Sequence, residues 1–240
     1  MRLDKYISFA LGITRSNIAS FLKGNIVKVN DERVIKKDFK IDENKDTVTI
    51  NDEVIEYKAF VYFVLNKPKD YVCARVDNLS KTVVSLIDTN YEISPVGRLD
   101  KDTKGVLLLT NDGALSHKLL SPLKHVSKEY IALVDKKLTE DELNEFMKGI
   151  IIKDGDEEEF KTKECFIKFL EEKDLMYSYL VKIYEGKFHQ VKRMFKYFDS
   201  NVIDLERVSF GPLKLEGLKE GEYRGLTKDE LNELKNAVCQ

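Results

Sequence analysis

The chain has 240 residues, 42% of them apolar, with 40 Lys and Arg against 42 Asp and Glu, a formal net charge of −2. That composition supports a sizeable core, and the length suits one large domain or a small domain plus a medium one. No apolar run approaches the roughly 18 residues of a membrane span. The start, Met1-Arg2-Leu3-Asp4-Lys5, lacks the core of a signal peptide, and Cys73, Cys165 and Cys239 lack metal-ligand spacing, which fits reduced thiols in the cytoplasm. Charge is unevenly spread: Met1 to Lys40 holds nine Lys/Arg against four Asp/Glu, and Glu140 to Glu159 holds nine acids against two lysines. A basic end and an acidic patch coexist with RNA binding if one face meets phosphate; solvated faces of mixed sign account for the same numbers.

In chain order, Leu3, Ile7, Ala10 and Leu11 recur at helical spacing and Gly12 stops them. Thr14 is placed to cap a second helix, with Ile18, Ala19 and Leu22 on its apolar face and Gly24 at its end. Ile26 to Val29 predicts a strand, Asn30-Asp31 a turn, with short strands around Val34 and at Val48 to Ile50. Residues 51–58 read as a polar connector. Beyond it come an apolar strand, Phe60 to Leu65, broken by Asn66-Lys67-Pro68, and another at Tyr71 to Val76. Val106 to Leu109 is a buried strand closed by the turn Asn111-Asp112-Gly113, and a helix follows from Ala114 to about Leu120. Glu129 to Val134 is a strand. Thr139-Glu140-Asp141-Glu142 is a capping box for a helix ending near Gly149. The acidic run Asp154 to Glu159 reads as a solvated loop. Strands follow around Phe166 to Leu170 and Tyr177 to Tyr184, then a helix from His189 to Phe198 and a strand from Asn201 to Phe210. Thr227-Lys228-Asp229-Glu230 is a second capping box, opening the last helix. Without a repeating β-α-β rhythm, the pattern predicts an α+β fold with much antiparallel sheet, divided into residues 1–58 and 59–240.

The stretch Gly97-Arg98-Leu99-Asp100-Lys101-Asp102-Thr103-Lys104-Gly105 packs charges between glycines just before a buried strand. A charged loop on a rigid sheet is a common way to hold a catalytic group; a solvated polar turn has the same composition. The loop, followed by Val106 to Leu109 and Thr110-Asn111-Asp112-Gly113, resembles the active-site motif of the pseudouridine synthases, specifically the ribosomal small-subunit pseudouridine synthase A (RsuA) group. Further family motifs occur in order: Leu65-Asn66-Lys67-Pro68 with Tyr71-Val72-Cys73, Ser121-Pro122 leading to Lys128-Glu129-Tyr130, and Glu185-Gly186-Lys187-Phe188-His189-Gln190-Val191-Lys192-Arg193-Met194-Phe195. Phe210-Gly211-Pro212 and Gly221-Glu222-Tyr223-Arg224 complete them. The N-terminal part, with Arg2-Leu3-Asp4-Lys5-Tyr6, Thr14-Arg15-Ser16 and Gly24 to Val29, resembles the S4-like RNA-binding module. Two positions depart from the family pattern: Asp70 stands where Gly is usual, which suggests a changed turn, and Lys187 replaces a more usual Arg.

The resemblance implies that a uridine within RNA is isomerised: the base leaves the ribose, turns, and is rejoined through carbon five. Asp100 takes the role of the essential carboxylate, by attack on the sugar, attack on the base, or removal of a sugar proton. A carboxylate in a closed pocket needs a nearby cation to stay ionised, and the matching basic position is Lys192. Tyr130 matches the tyrosine that offers a face to the extruded base, and Arg98 the residue that helps hold the base out. His189 and Arg193 are expected to contact RNA or support the site. Arg2, Lys5, Arg15 and Lys23 are expected to meet phosphate from the N-terminal module. The chemistry implies no cofactor and no metal. The expected partner is 16S ribosomal RNA in a small-subunit precursor, modified at a uridine of the 516 type, by a cytoplasmic monomer. A large-subunit RNA enzyme of the same family, a non-catalytic ribosome-assembly factor, and a hydrolase cutting base from sugar are the competing readings; the last needs a second acid that the sequence does not supply.

Overall fold

A computed structural model describes residues 1–43, 45–153 and 159–239. The expected solvated loop at Asp154 to Glu159 therefore lies outside the described residues, except for Glu159. The chain forms two compact units, one of Met1–Val61 with Asp88–Glu92, the other of Tyr62–Ile87 with Ile93–Gln240. The short return of residues 88–92 to the first unit is not visible as a break in the sequence.

In the first unit, helices α1 (Leu3–Leu11) and α2 (Arg15–Gly24) accompany strands β1 (Val27–Val29), β2 (Glu32–Arg33), β3 (Val48–Ile50) and β4 (Glu53–Ile55), paired antiparallel in the order β2-β1-β3-β4. Leu3, Tyr6 and Ile7 from α1 and Ile18 and Leu22 from α2 close on Val27, Val29, Val48 and Ile50. The expected polar connector at 51–58 is instead part of this sheet. Asn51 and Asp52 take φ of 50° and 70°, the paired left-handed conformation of a tight hairpin, and send β4 back along β3. The Tyr6 hydroxyl then donates to the Ile55 carbonyl at 2.9 Å. Thr14 stands at the start of α2 but its side chain caps no N–H; its hydroxyl pairs with that of Ser16 at 3.2 Å.

The second unit contains β5 (Tyr62–Lys67), β6 (Ser94–Pro95), β7 (Lys104–Thr110), α3 (Gly113–Leu120), β8 (Lys128–Val134), α4 (Glu140–Lys148), β9 (Ile151–Lys153), β10 (Glu159–Lys161), β11 (Phe166–Lys173), β12 (Met176–Ile183), α5 (Gln190–Lys196), β13 (Val202–Phe210), β14 (Leu213–Lys214), β15 (Tyr223–Gly225) and α6 (Lys228–Ala237). Its main sheet runs β11-β12-β8-β13-β7-β5-β15, with β14 on β13 and β6 on β7, and β9 and β10 form a separate hairpin. Within the main sheet the described pairings are antiparallel except β13 with β7. Both predicted capping boxes form, at Thr139 with Glu142 and at Thr227 with Glu230.

Two corrections to the expected strands bear on the site. β5 does not stop at Leu65: Asn66 and Lys67 continue it, opposite Val106 and Gly105 of β7. Tyr71 to Val76 is not a strand. Asp70 holds a left-handed φ of 68°, turning the chain away, and Val72 makes only an isolated bridge with Thr82. Asp tolerates this conformation, which Gly adopts most readily.

One packed core joins α4 and α5 to β8 and β12 through Phe146, Met194, Phe195, Tyr179 and Val181. Another joins α3 and α6 to β5 and β7 through Leu115, Leu119, Leu234, Val64, Val106 and Leu108. The parallel step sits between them, with Arg207 opposite Gly105. Gly105 has φ 112°, and a Cβ there would meet the Arg207 carbonyl oxygen at 2.1 Å. Gly105→Ala is expected to destabilise the chain by about 2–4 kcal/mol, through strain and forced strand separation. Gly113→Ala, at a helical position with nothing within 4 Å, should change stability by less than about 1 kcal/mol. Urea midpoints of the two variants, compared at constant slope, check this contrast.

Candidate active site

Strand pairing lays out the floor of the site. Tyr130 on β8 pairs with Val181 on β12 and Arg207 on β13; Lys128 pairs with Ile183 and Phe210 on the same two strands. Cross-strand partners share a face, so these residues form two adjacent rows. One wall is the Val96–Asp100 segment between β6 and β7. The other is the turn from Gly186 to Val191 at the start of α5. Together they enclose a cavity of about 100 Å³. A wider groove of about 560 Å³ shares its rim at Gly97 to Asp100 and at Gly186, Lys187 and His189, and extends along Phe188, Val72, Cys73 and Ala74.

The wall that carries Asp100 is fixed from beneath by Lys67. This side chain is fully buried. Its ammonium donates to the carbonyls of Thr103 at 2.8 Å, Pro68 at 3.0 Å and Asp100 at 3.1 Å, with the Lys101 carbonyl at 3.4 Å. Burial pushes the Lys67 pKa down, opposed by the nearby Cys73, Asp100, Asp102 and Asp70. The Leu99 N–H donates to Cys73 Sγ at 3.2 Å. The opposite wall is tied by buried Gln190, which accepts from the Lys187 N–H at 3.0 Å and donates to Glu185 at 2.6 Å.

Asp100 is a quarter exposed and stands at the rim. Lys192 Nζ lies 3.4 Å from its Oδ2, and His189 Nε2 3.4 Å from its Oδ1. Lys192 is shared: it also donates to Asp102 Oδ1 at 2.6 Å. Burial alone would raise the Asp102 carboxyl pKa, but the hydrogen bond and charge of Lys192 outweigh it and hold it below the usual range. Tyr130, 7% exposed, lines the cavity. Asp100 and Tyr130 thus line one cavity, Lys192 joins them through its pair with Asp100, and Arg98 is exposed at the rim and in no ion pair among the described residues. His189 precedes α5 rather than lying in it, at a left-handed φ of 48°, with its ring stacked on Phe188 at 3.8 Å. The Arg193 guanidinium lies 5.6 Å over the Phe188 ring. Arg2, Lys5, Arg15 and Lys23 belong to the first unit and do not line the cavity. Arg2 pairs with Asp4 at 2.8 Å, the Lys5 ammonium sits 5.9 Å over Phe9, and Lys23 is exposed. Arg15 opens α2; its side chain lies outside the described ones.

The sequence reading gave no role to Lys67, Lys128 or Arg207. Lys67 ends β5, Lys128 opens β8 and Arg207 lies inside β13; in the sequence Lys67 reads as part of the break that follows a strand. The readable signal is a cation within an apolar strand run, which needs a partner that the local sequence does not hold. Among the described residues no cluster of His, Cys, Asp and Glu could hold a metal ion, and no helix is long and apolar enough to cross a membrane.

Burial, together with the nearby Arg207 charge, pushes the Lys128 pKa down to about 8, against some support from Glu185. The folded protein therefore disfavours charged Lys128. That cost is complete below about pH 8 and disappears as pH rises towards the unfolded value of 10.5. Lys128→Met removes the cost. It should be the more stable protein at neutral pH, by up to about 3 kcal/mol. The wild type should regain ground between pH 8 and 10.5. Denaturant titrations of both proteins across that range measure the difference.

Known proteins match this chain over nearly its full length. The sequence model of the family described as RNA pseudouridylate synthase matches residues 61–197. An uncharacterized RNA pseudouridine synthase of Bacillus subtilis (strain 168), YtzG, is 36% identical over 238 residues, covering 97% of both chains. The ribosomal small subunit pseudouridine synthase A of Escherichia coli (strain K12) is 34% identical over 96% of this chain and 98% of its own. A crystal structure of a pseudouridylate synthase superposes with a TM-score of 0.66 at 34% identity, over 98% of this chain and 99% of that one. The chain belongs to the RNA pseudouridylate synthase family, and is an isomerase that converts uridine in RNA to pseudouridine.

Proposed function

We propose that the chain modifies a uridine of 16S ribosomal RNA, of the 516 type, in a small-subunit precursor, using Asp100 as its essential carboxylate. The carrying observation is the pairing of Asp100 with Lys192 at the rim of a cavity floored by Tyr130. The full-length likeness to enzymes named for the small ribosomal subunit supports the choice of RNA. In this reading Tyr130 packs against the extruded base, Lys192 supplies the counter-charge of Asp100, and exposed Arg98 holds the base out of its stack. Phe188 and His189 are stacked at the groove mouth, where a neighbouring base can lie on them. Arg193 braces Phe188. The first unit acts as an S4-like RNA-binding module in which Arg2, Lys5, Arg15 and Lys23 meet phosphate. The protein works as a monomer in the cytoplasm and needs no cofactor.

The test is incubation with small-subunit and large-subunit ribosomal RNA, followed by digestion to nucleosides and mapping of pseudouridine. Product in the small-subunit RNA alone is expected; product confined to the large-subunit RNA would overturn the choice. Asp100→Asn should lower turnover by at least about 1,000-fold while RNA affinity is kept, because phosphate contacts supply most of the affinity. A near-normal rate in this variant would remove Asp100 from the chemistry. Lys5→Gln with Lys23→Gln should weaken RNA binding and flatten the slope of log affinity against log salt by about 1.4–1.8. An unchanged slope would show that these two lysines touch no phosphate.

A further inference from the structure

Arg207 and Lys128 are strong charges for which the proposed roles have no use. Arg207 is only 2% exposed. Its Nε donates to the Val106 carbonyl at 2.8 Å, but Nη2 is buried without a hydrogen-bond partner among the described residues. Lys128 spends one donor on the Val126 carbonyl at 3.0 Å. Neither forms an ion pair among the described residues. Glu185, the acid that partly offsets the charge of Lys128, already accepts hydrogen bonds from Gln190 and from the Lys163 N–H. Phe210 is the compensation present: its ring centroid lies 5.2 Å from the guanidinium carbon and 5.6 Å from the Lys128 ammonium. An orphaned buried donor is costly, and a second cation beside it adds repulsion. Both residues line the cavity, so the missing partner is a group that enters it.

We propose that Arg207 and Lys128 form a cationic floor that binds the carbonyl oxygens of the extruded uracil and takes up the negative charge of the base while it is detached. This inference rests on the cavity being the base site of the proposed function. When the C1′–N1 bond breaks, its electron pair stays with the base and spreads from N1 onto O2 and O4. The electron deficiency left on the sugar is met at Asp100, by a bond to C1′ or by loss of the C2′ proton. C5 then forms the new bond to C1′, displacing the Asp100 carboxylate with its electron pair in the first case and with return of the C2′ proton in the second, and the proton on C5 is lost as N1 gains one. No co-reactant is needed. A half-turn of uracil about its N3–C6 axis exchanges N1 with C5, and also O2 with O4. Two cations that hold the two oxygens therefore hold the ring alike before and after the turn, and the floor need not move. A cavity of about 100 Å³ edged by Leu205, Val191 and Tyr130 suits a planar base; a backbone phosphate remains with the strand outside.

The experiment pairs residue changes with single-atom changes in the base. The substrate is a synthetic RNA that the wild type converts, carrying uridine, 2-thiouridine or 4-thiouridine at the target. Single-turnover rates are compared for wild type, Lys128→Met and Arg207→Lys. Lys128→Met keeps the chain length at a half-buried position, so the test does not depend on emptying the buried Arg207 site. With uridine, Lys128→Met should be slower by about 100-fold at unchanged RNA affinity. With the thio-RNA that replaces its acceptor oxygen, the same substitution should cost less than about 3-fold, because that contact is already weakened. Equal losses on all three RNAs would overturn the floor, as would a lowered affinity with a flatter salt slope, which assigns Lys128 to phosphate. Pseudouridine formed only in other ribosomal RNA would sink the choice of 16S RNA alone, and the cycle would run on the RNA that is converted.

Discussion

The arrangement of the site depends on one ammonium group held by main-chain carbonyls. Lys67 lies at the end of β5, opposite Gly105, where an apolar side chain would ordinarily pack. It instead reaches the carbonyls of residues 68, 100, 101 and 103, and among the described residues no carboxylate takes its charge directly. Spreading one charge over several carbonyl dipoles suits a backbone that must curl tightly, since a loop of this kind turns its carbonyls inward and otherwise leaves them unsatisfied. The Asp70 N–H, donating to the Lys101 carbonyl at 2.8 Å, and the Thr103 N–H, donating to the Asp100 carbonyl at 3.1 Å, complete the curl. Asp100 is thus aimed by its own main chain. Its side-chain neighbours can then serve charge balance without also having to hold it in place.

That division explains why charges of both signs crowd the cavity without forming one network. On the rim, two carboxylates share Lys192, and the closer of them, Asp102, is largely exposed while Lys192 itself is mostly covered. On the floor, Arg207 and Lys128 lack acids of their own and lean on the ring of Phe210. Cations left short of partners lower the stability of the fold, which is the usual direction of conflict between a functional site and its scaffold.

The features legible in the sequence were those governed by local physics. Thr139 and Thr227 with acids three residues on form their capping boxes, and the loop around Asp100 stood out as charges wedged between glycines before a buried strand. Distant partners decided the misreadings. Asn66 looked like a strand break, but its side chain donates to the Leu218 carbonyl, 152 residues away, and Lys67 is satisfied by the loop above it. β4 is an edge strand whose Glu53 and Val54 face solvent, so it carries no apolar alternation, although Asn51-Asp52 was a readable hairpin signal. Tyr71 to Val76 carries strand-forming residues but pairs only at Val72, through an isolated bridge to Thr82. Arg207 was invisible for the same reason in reverse: on β13 it looks like an outward-facing residue until the cavity beside it is known.

The parallel step between β7 and β13 ties the two sides of the site together. β7 begins at Lys104, four residues after Asp100, and its second residue, Gly105, lies against the backbone of Arg207. The loop that carries the carboxylate therefore ends at the point of closest approach to the strand that carries the cationic floor. Because a Cβ at Gly105 would collide with the Arg207 backbone, a bulkier residue there would push the loop and the floor apart together rather than disturb either one alone. A parallel pair also lets both strands leave the contact in the same direction, so β7 and β13 carry the loop wall and the floor from a common origin. The height of Asp100 above Arg207 is then set by sheet geometry, which is stiff, and in the reaction we propose the base turns between two sides of the cavity that hold still.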